Sequence, residues 1–228
     1  NHDGLYSMGF IYAIGNIIPK NIEKAIYYLK LAAEKNNVNS LNMLGNIFLD
    51  EYQNLSKALD YYYRAVEKND VSSCNNLYHI YYDNKYIEKD IHKAFYYAEL
   101  AANLKDAESQ YNLGCFYYYG EGIQKDERKA IQLLTLSAEQ KYPYALFALG
   151  TLYYNEQKIE DAIKYYALAI ENLYQESLDN FYMCEIYNNS ISEAFTNLHK
   201  EINKGNTEAY YNLGMIHYKK NNINEAIK

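Results

Sequence analysis

The chain has 228 residues, 49% hydrophobic and 22% charged, with a formal net charge of −7, a balance that fits a folded protein and argues against disorder. No Lys/Arg cluster stands free of acidic neighbours, which argues against a general nucleic-acid binder because phosphate contacts need a basic face. No apolar run approaches the roughly 20 residues of a membrane span, so no membrane partner is expected.

Only two prolines and ten glycines interrupt the chain, and apolar residues recur every three or four positions, so the expected class is all-α. Repeats are expected at about 1–37, 38–70, 71–106, 107–142, 143–174, a degenerate 175–206 and a partial 207–228. They are read as a single domain, 1–228, of about six and a half helical hairpins. Small residues at Ala25, Ala58, Ala94, Ala130, Ala162, Ala194 and Ala226 mark the second helices. A second small residue seven positions on, at Ala32, Ala65, Ala101, Ser137 and Ala169, shares the same face. The first helices supply an independent ruler in Met8-Gly9, Leu44-Gly45, Leu77-Tyr78, Leu113-Gly114, Leu149-Gly150 and Leu213-Gly214. From the Gly-like position to the ruler Ala, repeats one, three and four have a long connection, and repeats two, five and seven a short one. Repeat six keeps Ala194, but FYMCEIYNNS lacks the Leu-Gly pair.

The clearest copy is 107–142. Tyr111, Leu113, Phe116 and Tyr117 lie at helical spacing, Gly120-Glu121-Gly122 breaks the pattern, and Asp126 starts a second helix carrying Ala130, Leu133, Leu134 and Ser137-Ala138. Leu113-Gly114, Tyr117, Gly120-x-Gly122, Asp126, Lys129-Ala130 and Ser137-Ala138 resemble the Sel-one-like repeat, a relative of the tetratricopeptide repeat. Repeats two, five and seven resemble ordinary tetratricopeptide repeats. The resemblance implies a right-handed α-solenoid of stacked antiparallel helix pairs with contacts between neighbours. The chain starts and stops inside helices, so it is read as a fragment of a longer protein or one whose ends a partner covers, with end-to-end self-association open.

The resemblance also implies that first helices line a concave surface where extended peptides bind. Carried over by register, Asn46, His79, Cys115 and Thr151 lie two after the Leu of each pair. Tyr82, Tyr118, Tyr154 and Tyr218 lie three further on, and Asn76, Asn112 and Asn212 just before it. With Tyr111 and Tyr119 of the central copy they form the expected partner-binding groove, rings and amides suited to a peptide backbone. The 30 tyrosines have two readings, AT-rich coding bias and a Tyr-lined binding surface. The central faces carry no Lys or Arg, which argues against a carboxylate clamp and leaves a basic or neutral peptide as the better fit.

No cofactor, metal or catalytic residue is expected. His79 and Cys115 stand at equivalent positions in successive repeats, yet adjacent helices lie about 8–10 Å apart, whereas nucleophile and base must come within about 3 Å. His2, His79, His92, His199 and His217 lack H-x-x-x-H or Cys-x-x-Cys company, and Gly120-x-Gly122 is a turn. The odd, widely spaced Cys74, Cys115 and Cys184 form no disulfide framework, and a reducing, cytoplasmic setting is expected. The expected function is a non-catalytic protein-interaction scaffold. The alternative is a structural adaptor of the degradation-adaptor kind using its convex face or open ends, and a hydrolase ranks last.

Overall fold

A computed structural model describes residues 2–172, 196, 198–200 and 202–204. Asn212, Tyr218, Cys184 and most of the two carboxy-terminal repeats lie outside the described residues. The chain divides into two compact units, Asn1–Lys125 and Asp126–Lys228. Among the described residues all regular structure is helical.

The first unit holds α1 (His2–Ile14), α2 (Ile22–Glu34), α3 (Val38–Asp50), α4 (Leu55–Val66), α5 (Val71–Tyr82), α6 (Ile91–Asn103) and α7 (Ala107–Tyr119). Packing runs between sequence neighbours, α1 on α2, α2 on α3, and so on to α7. The second holds α8 (Glu127–Glu139), α9 (Pro143–Asn155) and α10 (Ile159–Glu171), with α9 packed on both α8 and α10.

In three hairpins a small residue faces a large one. A Cβ added at Gly9 meets Leu29 Cγ at 2.6 Å, one at Gly45 meets Tyr62 Cε1 at 2.4 Å, and one at Gly150 meets Tyr166 Cδ1 at 2.7 Å. The large partner stands four residues after the ruler Ala, one helical turn on, and its bulk fits only because the opposite helix has no side chain there. Repeat three exchanges the two sizes: Tyr78 takes the glycine position and Ala98 the bulky one, both buried in the same cluster.

Aromatic stacking adds a second lock. Three residues after the Gly-like position, Tyr12, Phe48, Tyr81 and Tyr153 lie nearly parallel to Tyr28, Tyr61, Tyr97 and Tyr165, each three after the ruler Ala. Lys24, Lys57 and Lys93, each just before the ruler Ala, place an ammonium 5.2, 5.1 and 4.7 Å from the centroids of Tyr12, Phe48 and Tyr81. Such a lysine, ring and ring arrangement stabilises each of these three hairpins by about 1 kcal/mol or more beyond simple burial.

The turns follow from local chemistry. Asn21, Asn54, Asp90 and Asp126 cap the second helices by accepting from the N–H of Lys24, Lys57, Lys93 and Lys129. The N–H of Asn21, Asn54 and Asp90 in turn donates to the carbonyl of Tyr12, Phe48 and Tyr81, tying each cap to the stacked residue. Between repeats, Asn36, Asn69, Lys105 and Lys141 take positive φ, and the following N–H, that of Asn37, Asp70, Asp106 or Tyr142, donates to Ala32, Ala65, Ala101 or Ser137. Asn37, Asp70 and Asp106 then cap the next helix through the N–H of buried Ser40, Ser73 and Ser109. These links satisfy terminal N–H and C=O groups that a buried helix end would otherwise leave orphaned.

Candidate functional site

The first helices carry the expected groove positions, and the structure separates them into residues held internally and residues that line open space. Buried Tyr62 donates its hydroxyl to Asn46 Oδ1 at 2.7 Å, and Asn76 Nδ2 donates to the same oxygen at 3.0 Å. Buried Tyr166 donates to Thr151 Oγ1 at 3.1 Å. In these repeats the residue after the glycine therefore satisfies the hydroxyl that the bulky tyrosine carries into the core.

Repeat three carries Ala98 where Tyr62 and Tyr166 stand, and repeat four carries Leu134 at that register, so neither repeat has a core tyrosine hydroxyl there for the equivalent residue, His79 or Cys115. His79 turns to two carboxylates, with Nδ1 3.2 Å from Asp83 Oδ2 and Nε2 3.2 Å from Glu108 Oε1. Glu108 opens α7, so the imidazole joins neighbouring first helices. The Glu108 hydrogen bond raises its pKa above the usual 6.5, with burial opposing and Asp83 adding to the rise. Cys115 is half-buried, and burial pushes its thiol pKa up against a hydrogen bond with Tyr111.

Between α5 and α7 lies a cleft of about 260 Å³ lined by Tyr78, Tyr82, Tyr111, Asn112, Cys115, Phe116, Tyr119 and Glu121. Tyr82 stacks on Tyr78 and meets the edge of Phe116. Its hydroxyl donates to Glu121 Oε2 at 3.1 Å, and Lys89 reaches Glu121 Oε1 at 2.7 Å while its ammonium stands 3.8 Å from the Tyr82 centroid. The Lys89 hydrogen bond holds the Glu121 carboxyl pKa below its usual value against desolvation, with the Tyr82 hydrogen bond and the Lys89 charge adding to the fall. The φ of +69° at Gly120 and +71° at Gly122 turns the chain so that Glu121 faces α5. A Cβ at Gly122 would also meet Ile91 Cγ2 at 2.9 Å.

Of the expected groove residues, Tyr82, Tyr111, Asn112, Cys115 and Tyr119 come together in this cleft. Tyr118 lies outside it, with Lys125 5.4 Å from its ring centroid. Tyr154 lines a separate cleft in the second unit with Asn155, Gln157 and Ile159. Sequence reasoning missed Tyr78, Phe116 and Glu121. The loss of glycine at Tyr78 was the available signal for the first.

Six stretches match the model for the Sel1 repeat: residues 2–37, 39–70, 73–106, 107–142, 143–172 and 207–227. The chain belongs to the Sel1 repeat family. The matches include the short-connection repeats, and the interval 173–206 falls between them. No curated protein matches the sequence. Among solved structures, the chain is 22% identical to a protective antigen with an SLR fold present in uropathogenic Escherichia coli strains (TM-score 0.79), covering 96% of this chain and half of the antigen's. It is 21% identical to a Sel1 repeat protein from Oxalobacter formigenes, over 80% of this chain and 78% of that one (TM-score 0.70). An immunity protein from Pseudomonas aeruginosa is 18% identical over 80% and 68% (TM-score 0.52). At these identities the likeness shows the Sel1 fold. Among the described residues no helix is long and apolar enough to cross a membrane, and no group of three His, Cys, Asp or Glu could hold a metal ion.

Proposed function

We propose that this Sel1 repeat protein is a non-catalytic protein-interaction scaffold whose partner segment docks at the first helices of repeats three and four. The observation that carries the reading is the change of register use there. In repeats two and five the residue after the glycine is consumed by a core tyrosine, whereas Cys115 at that register in repeat four lines an open aromatic cleft shared with Tyr78 and Tyr82 of repeat three. Tyr119 is 74% exposed at its rim, and an exposed ring beside a partly desolvated aromatic floor is the kind of anchor that protein interfaces use.

The chemistry supports binding over turnover. Both His79 ring nitrogens face carboxylates, and burial keeps Cys115 in its thiol form, so neither is poised as base or nucleophile. The test is a Tyr111→Ala/Tyr119→Ala variant of the full chain, compared with wild type in affinity capture from the native host. Loss of the specific partner with an unchanged helical circular dichroism spectrum supports the scaffold reading. Retention of every partner removes it.

The adaptor reading has one observation of its own. Tyr27 and Tyr96, each two after the ruler Ala on a second helix, are 60% and 56% exposed and could anchor a partner on that face. A Tyr27→Ala/Tyr96→Ala variant that loses the partner while the cleft variant keeps it favours the adaptor.

A further inference from the structure

We infer that the cleft between α5 and α7 receives a cationic side chain, arginine or lysine, from the partner segment. This rests on the protein-binding reading above and names the chemistry of what is bound. The first observation is the lining. Five aromatic rings surround the space, and Glu121 is the one carboxylate among the lining residues, with no lysine, arginine or histidine among them. Ring faces carry negative potential, so a ring face turned to the space, together with a carboxylate whose charge Lys89 partly offsets, favours a cation and disfavours an acidic side chain. A purely apolar side chain would desolvate Glu121 without replacing its lost hydration.

The second observation is size. About 260 Å³ lies below the roughly 300–1,000 Å³ of small-molecule pockets and suits a single long side chain entering from an extended segment. Asn112 is placed to hydrogen-bond either the entering group or the backbone that carries it.

The third is that the protein already performs this recognition on itself. Lys89 is held at this corner by the Tyr82 ring and Glu121 Oε1, and lysines cover Tyr12, Phe48 and Tyr81 in the same manner. A carboxylate offers about four lone-pair sites. One bond from Lys89 and one from Tyr82 therefore leave Glu121 able to accept from a further donor.

The experiment uses the full chain with ¹³C-labelled tyrosine rings, titrated by NMR with acetyl-Gly-Arg-Gly-amide and with its citrulline counterpart, which keeps the shape and loses the charge. The expected result is that Tyr82, Tyr111 and Tyr119 resonances move with the arginine peptide, and that citrulline binds about fivefold more weakly or worse. Glu121→Gln should shrink that ratio toward one, and Tyr119→Ala, at an exposed position, should weaken the arginine peptide without disturbing the fold. Equal affinity for the two peptides at these tyrosines overturns the cation inference and leaves the groove standing. Shifts confined to other tyrosines, or none, also overturn it. The groove reading fails separately, when partner capture ignores the Tyr111→Ala/Tyr119→Ala change.

Discussion

Gly45→Ala adds one methyl group at the point where α3 and α4 press together. The new Cβ falls 2.4, 2.7 and 2.9 Å from three atoms of the Tyr62 ring, so that ring must move by about 1 Å to restore ordinary contact at 3.4 Å. Tyr62 is fully buried and donates to Asn46 at 2.7 Å, so it has no free direction in which to move. Overpacking costs about 1–3 kcal/mol, a weakened hydrogen bond about 0.5–1.5 kcal/mol, and the better helix propensity of alanine returns up to about 1 kcal/mol. The net expectation is a loss of about 0.5–4.5 kcal/mol, read as a lower urea midpoint by far-UV circular dichroism. The origin is checked by a double-mutant cycle: placed on a Tyr62→Ala background, Gly45→Ala should cost nothing and gain up to about 1 kcal/mol. A Gly45→Ala protein as stable as wild type, or an equal loss on both backgrounds, would refute the account of glycine and tyrosine as a size-matched pair.

His79→Gln should lower the urea midpoint most in mildly acidic buffer near pH 6. The raised imidazole pKa means its contribution is fully present below the usual 6.5 and disappears as pH rises through the folded-state value; an effect that grows with pH contradicts the Asp83–His79–Glu108 bridge. Lys105→Gly should stabilise the fold by up to about 1–2 kcal/mol, because its φ of +67° strains an L residue, whereas Asn36→Gly should gain less since Asn tolerates that conformation; urea midpoints of the two variants test this. Burial raises the Cys74 thiol pKa to about 11, leaving on the order of one thiolate in 10,000 at neutral pH, so site-resolved mass spectrometry after brief iodoacetamide treatment should find it unmodified until denaturant is added.

The repeat architecture was legible because its determinants are local and periodic. Ruler alanines, capping Asx residues three before a lysine, and connection lengths all sit on one stretch of chain. The Tyr78–Ala98 exchange was also visible, since Tyr78 occupies a ruler position and Ala98 stands four after the ruler Ala94, but it becomes informative only when the two helices are read as opposed surfaces. The roles of Asn46 and Thr151 were hidden because their partners, Tyr62 and Tyr166, come from the other helix of the hairpin. Register alone placed them beside Cys115 as equivalents, and packing makes them different. Much of the tyrosine excess has a structural role that composition does not reveal: Tyr12, Tyr81 and Tyr153 stack within hairpins. Glu121 escaped attention because a Gly-x-Gly turn is read for its glycines, whereas here the middle residue supplies the carboxylate of the cleft.

The central claim, that partners dock at the α5–α7 cleft, is tested most directly by photo-crosslinking in the native host. A benzophenone amino acid replaces Tyr119 in one strain and Tyr27 in another. Docking at the cleft gives a partner covalently captured from position 119 and not from position 27. Capture from position 27 with none from 119 would contradict it and move the binding surface to the second helices.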